Sequence, residues 1–290
     1  MALEVNIING KKIADDILND IAKEIYTYSE KPLLCIIQIG SQEASNTYIR
    51  NKIKSCEKIG MGIELHKFES DVVDTNNVLQ IIDKLNNNKN VNGIIVQLPL
   101  PSHLDSSQIL NTISYEKDVD GFHTKNIGEL AIDGKTPRFI PCTPLGCIEL
   151  LKRNKIQIKG NHVVIVGKSN IVGLPLALML MKENATVTVC HKYTRSLVDH
   201  LKLADIVIVA CGQPQMIKKD WLKVGVVVID VGINVIETVT GRCLVGDVDF
   251  NEVKHIASAI TPVPGGVGPM TVAMLLKNTL NAYKLQNKIK

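Results

Sequence analysis

Short aliphatic runs alternate along this chain with longer segments whose apolar positions recur at three- and four-residue steps. The runs LLCIIQIG (33–40), GIELHKF (62–68) and GIIVQLP (93–99) are rich in β-branched residues, the pattern of strands buried on both faces. Between them, SQEASNTYIRNKIKSCEKIG and DTNNVLQIIDKLNNNK keep the helical period. Strands separated by helices in this way predict a parallel sheet covered on both sides. The periodicity breaks over GFHTKNIGELAIDGKTPRFIPC (121–142), where glycine and proline collect, and a domain boundary is expected there.

Beyond the break, TPLGCIELLKRN (143–154) predicts a helix with Thr143 as N-cap and Pro144 at its first position. A second alternation follows: NHVVIVG, a helix near 173–184, ATVTVC, a helix near 195–203, DIVIVACG and VGVVVIDVG. Four strand candidates with helical crossovers resemble a Rossmann domain. TPVPGGVGPMT then makes a rigid glycine-rich loop, and Pro269 is expected to open a last helix, MTVAMLLKNTLNAYKL. That helix needs apolar surface to bury, and the first domain is the nearest. The expectation is an α/β chain of two domains with a cleft between them. Residues 1–140 with 263–290 form one, closed by the C-terminal helix, and residues 141–262 form the Rossmann-type parallel sheet.

At 290 residues, 45% hydrophobic and 21% charged, the chain has the balance of one large or two modest globular domains. Its 33 basic and 29 acidic residues leave a formal charge of +4 scattered along the sequence, without the cationic stripe that a phosphate backbone requires. Nucleic acid is not an expected partner. The seven cysteines show no CxxC pair and no zinc-ligand spacing, so buried thiols in a reducing compartment are expected and no metal. Aromatic residues make up only 4%, which leaves the core to aliphatic side chains. The start, MALEVNIINGKKIADDI, lacks the basic and apolar regions of a leader, and no apolar run approaches the ~20 residues that span a bilayer. A soluble cytoplasmic protein without membrane contact is expected.

Candidate chemistry collects at a few places. VVIVGKSNIVGLPLA (163–177) runs from a buried strand through a glycine turn into a helix. Gly167 permits the turn, Ser169 offers a hydroxyl and Gly173 lets the chain pass close to the sheet, which suits a dinucleotide although the spacing is GxSxxxG rather than GxGxxG. After the next strand, VTVCHKYTR has no acid to hold the ribose hydroxyls of NAD. His191, Lys192 and Arg195 stand there instead and, with Lys168, favour NADP over NAD, the alternative being solvated loop charges, as most such clusters are. Tyr48 and Lys52 are four residues apart on one helix face, a pairing that surface helices also show by chance. Gln97 ends GIIVQLP at the sheet edge where ligands collect, or caps loose backbone groups. Asp118 and Asp120 of KDVDG, taken alone, read as turn acids.

The stretches GSQEASNTYIRNKIKSCEKIGM, GIIVQLPLP, KDVDGFH, PCTPLG, VGKSNIVGLP, DVGIN, GDVDF and TPVPGGVGPMT, in this order and spacing, resemble the bifunctional methylenetetrahydrofolate dehydrogenase/cyclohydrolase (FolD) family over nearly the whole chain. The resemblance implies a folate domain and an NADP-binding Rossmann domain, a homodimer, and a role in one-carbon metabolism and purine biosynthesis. By position it implies that Lys52 is the catalytic lysine, that Tyr48 stacks on and orients the folate, and that Gln97 hydrogen-bonds the lysine. It implies Asp120 as the pterin anchor, with Asp118 the lesser acid, and Val96 and Leu98 as substrate wall beside Gln97. Pro264, Gly265, Gly266, Val267 and Gly268 resemble the loop that closes over the folate. Gly167, Lys168 and Ser169 resemble the pyrophosphate and 2′-phosphate contacts, and Ile233 the wall beside the nicotinamide. The family usually carries arginine at the position of Lys168, and lysine lacks the fork that arginine presents to a phosphate. At 290 residues, a two-activity member without an appended formyl-tetrahydrofolate ligase domain is expected.

The two implied reactions ask for different things. Oxidising a methylene bridge needs its carbon held against a nicotinamide, whereas hydrolysing the methenyl cation needs a proton carrier. A short-chain dehydrogenase also uses Tyr-x-x-x-Lys, but there the pair follows the glycine turn, and here it precedes it by more than a hundred residues. A folate or nucleotide sensor without turnover is the other alternative. The joint presence of Tyr48, Lys52, Gln97 and Asp120 argues against it.

Overall fold

The computed structural model describes residues 5–40, 43–70, 72–238 and 241–289. In chain order the elements begin β1 (Asn6–Ile7), α1 (Gly10–Tyr26), β2 (Leu33–Ile39), α2 (Glu43–Ile59), β3 (Gly62–Phe68), α3 (Thr75–Asn87), β4 (Gly93–Val96), α4 (Ser106–Thr112), α5 (Thr124–Ala131) and α6 (Cys142–Arg153). They continue with β5 (His162–Val166), α7 (Gly173–Lys182), β6 (Thr186–Cys190), α8 (Leu197–Lys202), β7 (Ile206–Val209), β8 (Val227–Asp230), β9 (Asn234–Thr238), β10 (Gly241–Val245), α9 (Phe250–Val253), β11 (Ala259–Ile260) and α10 (Val267–Gln286). The chain divides into two compact units, one of Asp15–Cys142 with Val272–Lys290 and one of Met1–Ala14 with Thr143–Thr271.

The first unit is built on a parallel sheet of order β3-β2-β4. The middle strand is the most apolar, and its Leu34, Cys35, Ile36 and Ile37 have no accessible surface. One face packs Cys35, Ile37, Ile94 and Val96 against Val78, Ile82 and Leu85 of α3 and Ile109 of α4. α3 starts on a reciprocal cap, with the Asp74 carboxylate accepting from the Asn77 N–H at 2.8 Å and the Asn77 amide oxygen accepting from the Asp74 N–H at 3.2 Å. The later part of α10 is fastened into this unit by buried Asn278, whose amide donates to Val119 O at 2.9 Å and Ile140 O at 3.0 Å. That is the burial a lone terminal helix requires.

The second unit carries a six-stranded sheet of order β1-β11-β8-β7-β5-β6, parallel throughout. Its core is almost wholly valine, leucine and isoleucine, including Val164, Val166, Val207, Val209 and Val228. From β5 the chain first adds β6 on one side and then β7 on the other. The carboxyl ends of β5 and β7 therefore flank a switch point, where open parallel sheets take their ligands.

Several boundaries differ from expectation. Residues 1–14 group with the second unit, because β1 pairs with β11 in the register Asn6↔Ala259 and Ile7↔Ile260. Residues 263–271 do the same: Gly265 O accepts from the Lys11 N–H at 2.9 Å, and the Thr143 and Thr271 hydroxyls meet at 3.0 Å. Thr143 is not an N-cap, since α6 already begins at Cys142, and α10 begins at Val267, which puts Pro269 inside its first turn, where a missing N–H is tolerated. The aperiodic stretch 121–142 contains α5, capped by His123 Nδ1 accepting from the Lys125 N–H at 3.1 Å.

Candidate active site

In the first unit, the helix after β2 carries Tyr48 and Lys52 one turn apart. Lys52 is only 8% exposed, and its amine donates to Gln97 Oε1 at 2.9 Å. The amide is held from both ends: the Gln97 backbone N–H donates to Ile37 O at 2.8 Å, and Nε2 donates to Leu98 O at 2.8 Å. With its N–H group engaged, the side chain presents only oxygen to the lysine. Tyr48 is half-buried, and burial raises the pKa of its hydroxyl. Leu98 is half-buried, but Val96 is 1% exposed and packed in the core, so it backs the strand end and offers no side-chain wall.

The two acids of KDVDG separate completely. Asp118 is 1% exposed and accepts from the Phe122 N–H at 3.3 Å, the His123 N–H at 2.8 Å and Asn126 Nδ2 at 2.8 Å. Asn126 in turn accepts from the Phe139 N–H at 3.1 Å, so one buried carboxylate organises the whole 118–139 stretch. Burial outweighs these bonds and pushes the Asp118 carboxyl up to about 7, with the neighbouring Asp120 adding to the rise. Asp120 is closely surrounded yet keeps accessible surface. Its carboxyl is raised by desolvation, while the positive charge of Lys52 and, less strongly, the nearby Cys142 side chain, whose thiol donates to Val119 O at 3.4 Å, pull the other way. Lys52, Gln97, Asp120 and Cys142 thus form one polar cluster in this unit. The Cys142 thiol, held well above its ordinary range by burial and then by Asp120, has no counterpart in the sequence reading beyond its place in PCTPLG.

In the second unit, Gly167 follows β5 with φ of +128°, and a Cβ there would stand 2.2 Å from Ala210 O. A Cβ on Gly173 would stand 2.0 Å from Gly167 O. Both positions demand glycine, and the turn they make leaves Lys168 and Ser169 exposed. Ser169 Oγ accepts from the Val172 N–H at 3.2 Å, ahead of α7. Since Val166 pairs with Cys190, the ends of β5 and β6 lie side by side, bringing His191 and exposed Lys192 to the same edge as Lys168. Arg195 is exposed in the following loop. Ile233, 41% exposed beyond β8, has its Cδ1 3.4 Å from where a Cβ of Gly268 would be. In the loop before α10, Pro264 is exposed whereas Gly266 and Val267 are buried.

The motifs DVGIN and GDVDF prove to be braces. Asp230 accepts from the N–H groups of Gly232 (2.9 Å), Asp247 (3.0 Å) and Val248 (2.9 Å). Asp247 accepts from those of Cys211 (2.7 Å) and Gly212 (2.9 Å) and from Asn234 Nδ2 (2.9 Å). Together they tie down the loops after β7 and β8.

These features define an α/β protein with one nucleotide-binding sheet and one unit carrying a lysine–amide–carboxylate cluster. Residues 8–120 match the tetrahydrofolate dehydrogenase/cyclohydrolase catalytic domain and residues 141–287 match the NAD(P)-binding domain of the same family. The chain belongs to the tetrahydrofolate dehydrogenase/cyclohydrolase family. It is 48% identical over 289 residues to the bifunctional protein FolD of Brevibacillus brevis, covering 99% of this chain and 100% of that one. Among solved structures it resembles the FolD methylenetetrahydrofolate dehydrogenase/cyclohydrolase of Campylobacter jejuni (TM-score 0.91, 42% identity, 97% of this chain and 99% of that one). It also resembles the Trypanosoma brucei FolD enzyme complexed with NADP cofactor and inhibitor (TM-score 0.94, 37% identity, 98% of this chain and 99% of that one).

Proposed function

We propose that this chain oxidises 5,10-methylenetetrahydrofolate to the 5,10-methenyl form with NADP and hydrolyses that product to 10-formyltetrahydrofolate. The observation that carries the reading is the Lys52–Gln97 hydrogen bond of 2.9 Å beside the Asp120 carboxyl, an acid–base cluster in a family whose other half binds a dinucleotide. In hydrolysis, water attacking the methenyl carbon loses a proton and the departing ring nitrogen gains one. Lys52 is the group placed to move them. Gln97 fixes one of its N–H bonds and leaves the rest of the nitrogen free for substrate and water. Asp120 holds the amino-pyrimidine edge of the pterin, whose N–H donors supply the hydrogen bonds that burial denies the free carboxyl. Tyr48 stacks on the folate beside Lys52, with Leu98 next to Gln97.

NADP, when bound, supplies the hydride acceptor. The Gly167–Ser169 turn fits it, because a chain that no Cβ can enter brings backbone N–H groups close to a pyrophosphate. Lys168, with His191 and Lys192 at the adjoining strand end, takes the 2′-phosphate, and Ile233 flanks the nicotinamide. The Pro264–Gly268 loop keeps the folate-closing role that the resemblance implies. Among the described residues no helix is long and apolar enough to cross a membrane. A cytoplasmic homodimer is part of this proposal; light scattering tests the dimer and cell fractionation the compartment. The activity itself is tested by absorbance at the reduced-nicotinamide band with methylenetetrahydrofolate and NADP. No NADP-dependent signal with the folded protein would overturn the reading.

A further inference from the structure

Away from this cluster, β2 and β3 bring a thiol, a carboxylate and an imidazole together. Cys35 stands opposite Glu64 in the strand register and Ile37 stands opposite His66. Glu64 and His66 are two residues apart and share one face of the edge strand. The Cys35 thiol points at Glu64 Oε2 from 3.7 Å, and His66 Nε2 lies 3.4 Å from the same oxygen. All three ligand atoms fall within 4.8 Å of one another.

These separations can be set against a tetrahedral zinc site. Bonds of about 2.3 Å to sulfur and about 2.1 Å to nitrogen and oxygen imply an S···O edge of roughly 3.6 Å and an N···O edge of roughly 3.4 Å. The two measured edges, 3.7 Å and 3.4 Å, agree with those values. His66 Nε2 supplies an independent sign. It is buried and lacks a hydrogen-bond partner of acceptable geometry, an arrangement that costs free energy in a folded protein unless something meets the nitrogen. We propose that Cys35, Glu64 and His66 form a three-ligand site for a zinc-class divalent cation, with solvent in the fourth position. The side chains of Glu64 and His66 are 51% and 31% exposed, so an ion enters past them and meets the inaccessible sulfur last. On binding, the thiol proton passes to solvent and the thiolate bonds the metal. Burial and the Glu64 carboxylate oppose ionisation of the free thiol, and a bound cation would stabilise the thiolate against both. Cross-linking β2 to β3 would staple the edge of the three-stranded sheet. Sequence spacing hid this site because its ligands are gathered by strand register.

The test is titration of the tag-free, full-length protein with cobalt(II) as a spectroscopic stand-in for zinc, followed by zinc displacement. The expected result is one equivalent bound, with a thiolate-to-cobalt charge-transfer band and an upward shift of Tm on adding zinc. Both should vanish in Cys35→Ala and His66→Gln and weaken in Glu64→Gln, and both should persist in Cys243→Ser, which removes an exposed thiol. Circular dichroism verifies folding, and His66→Gln decides the matter should Cys35→Ala fail to fold. No charge-transfer band in the wild type, or a band that survives His66→Gln, overturns the proposal.

Discussion

Asp118→Ala and Asp120→Ala, two residues apart in one loop, should fail in opposite ways. The first removes the acceptor for three donors, two of them at 2.8 Å. A buried donor left unmet costs about 1–3 kcal/mol, so three come to roughly 3–9 kcal/mol, a large share of a typical ~5–15 kcal/mol stability. The loss depends on pH. Because the folded-state Asp118 carboxyl is raised from 3.8 to about 7, the folded protein binds that proton more tightly than the unfolded chain does. Its contribution is greatest at low pH and declines as pH rises through that window. The stability advantage of wild type over Asp118→Asn should therefore shrink by up to roughly 1.4 kcal/mol per pH unit between about 4 and 7. Asp120→Ala deletes a half-buried carboxyl that does not brace the 118–139 backbone and should change stability by no more than about 1 kcal/mol. It should instead raise KM for the folate roughly 10- to 150-fold, the equivalent of a charge-assisted hydrogen bond worth about 1.5–3 kcal/mol. Urea denaturation across pH, paired with steady-state kinetics, measures both. An Asp118→Ala protein with an unchanged midpoint, or an Asp120→Ala protein with an unchanged KM, would refute the division of labour.

Two further substitutions address the nucleotide-binding unit. Gly173→Ala puts a methyl 2.0 Å from Gly167 O, so the turn must open, and NADP affinity by calorimetry should fall at least tenfold; unchanged affinity would show that the turn is not the cradle. Lys168→Ala should raise KM for NADP much more than for NAD, and an equal rise for both would move the 2′-phosphate contact elsewhere.

Legibility followed the strength of local pattern. β2, β5 and β7 are aliphatic runs, and their sequence patterns fall within three residues of where the strands lie. β1 and β11, two residues each, are too short to carry a period, and their pairing moves the amino-terminal fourteen residues into the other unit. β10, paired antiparallel with β9, is exposed over residues 241–244 and has no buried face to write an alternation. In the candidate site, Tyr48 and Lys52 share a visible helical spacing, but nothing local links Lys52 to Gln97, 45 positions away. Family resemblance named that pair; in the fold Gln97 is anchored on Ile37 of β2, the strand that leads into the helix carrying Lys52. Residue chemistry alone did not separate Asp118 from Asp120, since both sit in the same turn; the resemblance chose Asp120 as the anchor, and only the fold shows that Asp118 is the one the backbone encloses. Val96 shows the same limit: its neighbour Gln97 faces the cluster while the Val96 side chain packs into the core. Cys142 reaches Asp120 only through tertiary packing.

The central claim is that hydride transfer needs geometry from this chain whereas hydrolysis needs the Lys52 amine. Lys52→Met keeps the length and the apolar stem and deletes the nitrogen that Gln97 holds. Following methylenetetrahydrofolate turnover with NADP by absorbance separates the two steps, because reduced nicotinamide and methenyltetrahydrofolate absorb distinctly. The account predicts a fall in cyclohydrolase rate of ~10² to 10⁴, about 2.7–5.5 kcal/mol in barrier, with a smaller loss of dehydrogenase rate and accumulation of methenyltetrahydrofolate. Hydrolysis of methenyltetrahydrofolate by Lys52→Met at the wild-type rate would contradict it.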